Sequence, residues 1–89
     1  MLIRRLVWDD WNEEHVARHG IVPREVRAVC LSNQSLGVRI RRGRYRIIGQ
    51  TDEGRYLTVY LDVEDLETAS YYVVTARDAT PPERRRLRR

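Results

Sequence analysis

Two periodicities alternate along the chain and predict a mixture of helices and strands. Leu2, Leu6 and Trp8 recur at even positions over residues 2–8, the mark of a strand with one buried face. Arg4 shares their parity, which suits a strand at a sheet edge. Asp9-Asp10 ends the run. Asp10 followed by Glu13 has the form of a capping box, so a first helix is expected from Trp11 to about His19. Trp11, His15, Val16 and His19 share one face of it. Gly20 is the expected left-handed residue past its end. Pro23 suits the first turn of a second helix, residues 23–31, with Val26, Val29 and Cys30 inward.

From Val38 the period becomes two. Val38 and Ile40 alternate with Arg39 and Arg41, Arg42-Gly43 interrupts, and the alternation resumes from Tyr45 to Gln50. Thr51-Asp52-Glu53-Gly54 reads as a hairpin turn. Leu57, Val59 and Leu61 share one face of the next strand, residues 56–61; Tyr56, Thr58 and Tyr60 share the other. The acidic residues 62–67 are expected as the following turn. The last strand, residues 69–77, carries Tyr71-Tyr72-Val73-Val74-Thr75, which is apolar on both faces and belongs inside a sheet. Pro81-Pro82 opens a short helix from residue 82 onward. The order is β-α-α-β-β-β(-α), an α+β domain with two helices packed on a small antiparallel sheet.

A chain of 89 residues makes one domain, residues 1–89. No apolar run approaches the roughly 20 residues of a membrane span. The N-terminus lacks the pattern of a secretory signal, and a lone cysteine forms no internal disulfide. Both point to a reducing cytoplasm. Cys30, on the inner stripe of a helix, reads as a small buried hydrophobe.

Charge changes this picture. All 17 basic side chains are arginine, against 13 acids, for a net charge of +4. A GC-rich genome explains arginine in place of lysine, but not its clustering. Arg39, Arg41, Arg42, Arg44 and Arg46 crowd one segment; Arg84, Arg85, Arg86, Arg88 and Arg89 crowd the tail. Clustered arginines imply a polyanionic partner. Arg77 ends the central strand, where a rigidly held guanidinium can grip phosphate with two parallel hydrogen bonds. Arginines interleaved with tyrosine also suit single-stranded RNA, which needs charge for its backbone and flat faces for its bases.

Cleavage asks for more. A ribonuclease can work without metal by placing arginines at the developing phosphorane charge, with the RNA 2′-hydroxyl as nucleophile. His19, Glu83 and the strand tyrosines are the candidate proton carriers, and spacing alone does not choose among them. His15 and His19 have a spacing that can bind metal, but no third ligand follows at a recognised interval. No metal or cofactor is therefore expected. Trp8 and Trp11 read as core packing rather than base-stacking platforms.

Several short pieces, in order, resemble one family. They are Trp8-Asp9, Arg18-His19-Gly20-Ile21, Glu25-Val26, Gly54-Arg55-Tyr56-Leu57-Thr58-Val59, Val74-Thr75-Ala76-Arg77 and Glu83-Arg84-Arg85. Spread over nearly the whole chain, they resemble the BrnT toxins, RelE-like ribonucleases of type II toxin–antitoxin systems. The resemblance implies a cytoplasmic, metal-independent endoribonuclease. It also implies a cognate ribbon-helix-helix antitoxin, a heterotetrameric complex, and operator DNA bound only through the antitoxin. Carried over by position, it gives Arg18, His19, Arg55, Arg77, Glu83, Arg84 and Arg85. With the clustered Arg44 and Arg46 added from charge alone, the expected site has His19, Arg55, Arg77 and Glu83 as catalytic and Arg18, Arg44, Arg46, Arg84 and Arg85 as RNA-binding. His15 stands where many members have asparagine, and lysines common in the family are arginine or absent here. The rival readings are a non-catalytic RNA- or DNA-binding module, or an antitoxin-binding module, on the same fold. A third is a protein that meets an acidic partner through its arginine faces.

Overall fold

The computed structural model describes residues 1–87. Its elements are β1 (Arg5–Val7), α1 (Asp10–Ala17), α2 (Pro23–Leu31), β2 (Leu36–Arg41), β3 (Arg44–Gln50), β4 (Tyr56–Asp65), β5 (Ser70–Asp78) and α3 (Pro81–Leu87). The strands form one sheet in the order β1-β5-β4-β3-β2. The expected α+β order of elements is present, with four strands after the helices rather than three, and β5 lies inside the sheet. The sheet is mixed rather than wholly antiparallel, because β1 runs parallel to β5 with Leu6 opposite Tyr71. Parallel neighbours need a crossover rather than a hairpin. Here everything from α1 to β4 serves as that crossover.

The first helix is turned differently from its apolar pattern. Asp9, not Asp10, is the N-cap: it is extended (φ −143°, ψ 179°), and its Oδ1 accepts the Asn12 N–H at 2.9 Å. Asn12 Oδ1 accepts the Asp9 N–H in return, also at 2.9 Å. Asn12 is wholly buried, and its amide nitrogen donates to the carbonyls of Val7 and Val73, each at 3.0 Å. One side chain thus joins α1 to β1 and to β5. It also fixes the rotation of α1, so Asn12 and Val16 face inward and Trp11, expected inward, is 70% exposed. α1 ends at Ala17, which leaves His19 in the turn beyond it.

The rest follows the sequence more closely. α2 occupies the expected residues, with Val26, Val29 and Cys30 buried. Burial pushes the Cys30 thiol up to about 12. Gly49 of β3 lets α2 close on the sheet, because a methyl group there would collide with Val29 and Ser35. β4 continues to Asp65 through acidic residues expected to turn. Asp62 is held in the strand by Arg44 directly opposite on β3, at 2.8 Å from Arg44 Nη2. The turn falls at residues 66–69, where Ala69 takes φ +52°. Arg88 and Arg89 of the basic tail lie outside the described residues.

α1 and α2 share one sheet face. Val16, Ile21, Val26 and Val29 meet Leu57, Val59, Leu61, Val73 and Ala76 there, all buried. The inward residues of β4 are therefore odd-numbered throughout. Those of β5 change parity. Val63 faces Tyr71 and Leu61 faces Val73, but Tyr60 faces Thr75 and Val59 faces Ala76. Val74 has no partner, which makes it a β-bulge. Beyond the bulge the even residues of β5 point to the helices and the odd ones point away. Arg77 therefore joins Thr58 and Tyr60 on the other face, where α3 packs.

Replacing Asn12 by alanine should strand two buried carbonyls and remove the cap partner of Asp9. We expect a loss of about 2–4 kcal/mol in chemical denaturation. A loss below about 0.5 kcal/mol, the level of an ordinary surface substitution, would contradict this role.

Candidate functional site

The sheet face away from α1 and α2 gathers polar side chains from β3, β4, β5 and α3. Arg46 of β3 stands opposite Tyr60 of β4, and Tyr60 stands opposite Thr75 of β5. Arg77 lies beside them, one pair further along. Its Nη2 donates to the Tyr60 hydroxyl at 3.0 Å, and its guanidinium carbon lies 5.6 Å from the Tyr60 ring centre. Period two already sets Thr58 and Tyr60 apart from the apolar face of β4. It does not show that Arg77 joins them, because that depends on the bulge.

Glu83 is the anion at the centre of this cluster. Arg77 holds it with a two-pronged pair, Nη1 to Oε1 at 2.8 Å and Nη2 to Oε2 at 3.0 Å. Oε1 also accepts from the Thr58 hydroxyl at 2.8 Å and from the Thr80 N–H at 2.9 Å. Arg46 Nη1 approaches Oε2 at 3.8 Å, while Arg46 Nε is buried with no hydrogen-bond partner among the described residues. The Arg77 guanidinium, with the Thr80 N–H and the Thr58 hydroxyl, outweighs burial and holds the Glu83 carboxyl down at about 2. Thr80 and Glu83 also form the N-terminal cap of α3. The same carboxylate therefore starts the helix and docks it on the sheet.

The other arginines divide. Arg84 stacks on Tyr56, 4.3 Å from its ring centre, and both border a cleft of about 270 Å³ with Arg55 and Asp78. Arg55 turns to the helix side instead. Its Nε donates to Asp78 at 2.8 Å, its Nη1 to the Gly20 carbonyl at 2.8 Å, and its Nη2 to the His19 carbonyl at 3.2 Å. Glu25 is a further partner at 3.4 Å. Gly20, at φ +70°, presents its carbonyl in the turn that Arg55 grips. Arg55 is thus a clamp between the α1–α2 turn and the end of β5. It leaves the sheet on the face opposite Arg77.

His19 contributes its backbone to that clamp. Its exposed ring packs against His15, with centroids 6.0 Å apart. Arg18 pairs with Glu14 at 3.0 Å on the solvent side of α1. Arg44 is paired with Asp62, and Arg85 is exposed on α3. Arg46, Arg77, Arg84 and Glu83 are therefore brought together around α3, whereas His19, Arg18 and Arg55 belong to the helix side. Among the described residues no group of three or more His, Cys, Asp or Glu could hold a metal ion. Another cleft, about 350 Å³, lies beyond Tyr56 between Gln34, Gln50, Asp52 and Leu87, with no arginine among the described residues that line it.

The Glu83 pair has a measurable signature. Its pKa in the folded protein lies below the ordinary value of 4.5. Its contribution is therefore complete above about pH 4.5 and is lost as pH falls toward 2. Acid denaturation of the protein should lose on the order of 2–3 kcal/mol through this window from Glu83. Asp62 is also lowered, beside Arg44, so the difference between the protein and Glu83→Gln isolates the pair. Identical pH dependence in the two would contradict the assignment.

No family model matches the chain, and no curated protein matches it. Among solved structures it is similar to the ribonuclease toxin BrnT of Brucella abortus, known from a crystal structure at 1.1 Å resolution. The TM-score is 0.67 at 15% sequence identity, and the match covers 85% of this chain and 96% of that one. No described helix is long and apolar enough to cross a membrane. The likeness is one of architecture: this chain has the fold of the BrnT toxin.

Proposed function

We propose that this protein is the endoribonuclease toxin of a toxin–antitoxin pair, and that it cleaves RNA on the sheet face beside α3. The observation that carries this reading is the convergence of Arg77, Arg46 and Tyr60 on one face of a fold shared with a ribonuclease toxin. Arg77 and Arg46 supply charge to a phosphate and then to the more negative phosphorane, the stage at which such contacts accelerate reaction. The 2′-hydroxyl gives its proton to solvent water, and its oxygen bonds to phosphorus as the bond to the 5′-oxygen breaks. The 5′-oxygen takes the Tyr60 proton, giving a cyclic phosphate and a free 5′-hydroxyl, and Tyr60 regains its proton from solvent. Tyr56, which Arg84 covers, offers a flat face for a neighbouring base.

Tyr60 is the proton carrier in this reading. Its oxygen accepts from Arg77, which leaves its own O–H free to donate to the departing 5′-oxygen. Glu83 is a weak candidate, because a carboxyl held at about 2 has little basicity at neutral pH. His19 is exposed on the helix side and serves Arg55 through its backbone. The biological partner is a ribbon-helix-helix antitoxin in a heterotetramer that binds operator DNA through the antitoxin, in the cytoplasm. A second reading, a non-catalytic RNA-binding module, draws support from Glu83, which leaves little of Arg77 free.

Incubation of the purified protein with single-stranded RNA in EDTA separates the two. Cleavage should occur, and Arg77→Ala should lower kcat by about 100-fold or more. Tyr60→Phe should lower kcat by about 100-fold with little change in KM. Arg55→Ala, which breaks the clamp at the edge of this face, should lower the kcat of its folded fraction far less than Arg77→Ala does. RNA bound but left intact would favour the module. Activity lost in His19→Ala and kept in Tyr60→Phe would overturn the proton assignment.

A further inference from the structure

Arg77 offers its fork to Glu83 in the geometry it would offer a phosphate. Both ligands are planar or tetrahedral oxyanions that accept two parallel N–H bonds. Around the carboxylate stand the Thr58 hydroxyl at 2.8 Å and Arg46 Nη1 at 3.8 Å. Arg46 Nε lies buried with no hydrogen-bond partner among the described residues. An internal carboxylate does not use that donor; a larger oxyanion with more acceptor atoms can. The arginine donors of Arg77 and Arg46 thus outnumber the bonds that Glu83 accepts from them, while the Thr58 hydroxyl serves the carboxylate.

We infer that Glu83 is an internal mimic of the RNA phosphate, and that α3 is a latch which keeps the arginine site closed until RNA displaces it. This rests on the ribonuclease reading of the same face. The latch is built to move. The described part of α3, Pro81–Leu87, is joined to β5 through Ala79 and Thr80 alone. Ala79 is fixed by its N–H to the Tyr56 carbonyl at 3.0 Å, so the pivot lies after it. Beyond the pivot, the charged contact of Glu83 and the Arg84–Tyr56 stack are polar contacts that RNA can replace in kind. An incoming phosphate takes over the Arg77 fork and reaches Arg46, while a base replaces Arg84 on Tyr56.

The latch predicts a sign that a merely structural ion pair does not. Glu83→Gln keeps an oxygen for Thr58 and Thr80 but removes the competing charge. Binding is read with a 2′-O-methyl oligonucleotide, which has no free nucleophile. Glu83→Gln should tighten it about tenfold, against less than about twofold for the exposed control Glu53→Gln, which makes the same change in net charge. The gain should vanish in the double variant Arg77→Ala/Glu83→Gln. Thr58→Val, which removes a neutral donor to Glu83, should tighten binding more weakly, by about two- to threefold, and it serves if Glu83→Gln fails to fold. Unchanged or weaker binding in both Glu83→Gln and Thr58→Val would overturn the latch. If Arg77→Ala alone binds as well as the unaltered protein, the site reading fails instead.

Discussion

Val74 has no partner on β4, because Tyr60 pairs with Thr75 and Leu61 pairs with Val73. Side chains on a strand alternate between faces, so one unpaired residue exchanges the faces of everything beyond it. Before the bulge, Tyr71 and Val73 look into the helical core. After it, Ala76 takes the inward position and Arg77 looks out. A regular β5 would have aimed Arg77 at the packed side chains of α1 and α2, where an unpaired charge is costly. The polar face of the sheet exists because this register shift occurs.

On that face the electrostatics are arranged around one carboxylate. Glu83 caps α3, accepts from Thr58 and is held by Arg77, with Arg46 close by. The opposite face has an arginine hub of its own. Arg55 gathers Asp78, Glu25 and two carbonyls of the α1–α2 turn. Two guanidiniums at the same end of the β4–β5 pair thus do different work. Arg55 secures the helices to the sheet, and Arg77 secures α3 to the opposite face through Glu83.

Much of this was legible in the sequence. The meander, the extent of α2, the left-handed Gly20 and the inward stripe of β4 follow from periodicity and turn chemistry. The internal place of β5 followed from its apolar character on both faces. That same character hid the bulge, since a slip in Tyr71-Tyr72-Val73-Val74-Thr75 leaves the pattern apolar either way. Asn12 was hidden for a related reason. A polar residue at a buried position is invisible to hydrophobic spacing, and it turned α1 so that Trp11 faces solvent. Among the site residues, clustering marked the arginines as a group. Only the pairing register separates Arg77 from Arg55.

The central claim is that polyanions meet this protein on the α3 face and not on the helix face. Backbone amide shifts followed by NMR during titration with a short single-stranded RNA test it most directly. The account predicts the largest changes at Arg46, Thr58, Tyr60, Arg77 and Glu83, with Arg18, His19 and Glu25 nearly still. Changes centred on the α1–α2 turn, with the α3 face unmoved, would contradict it.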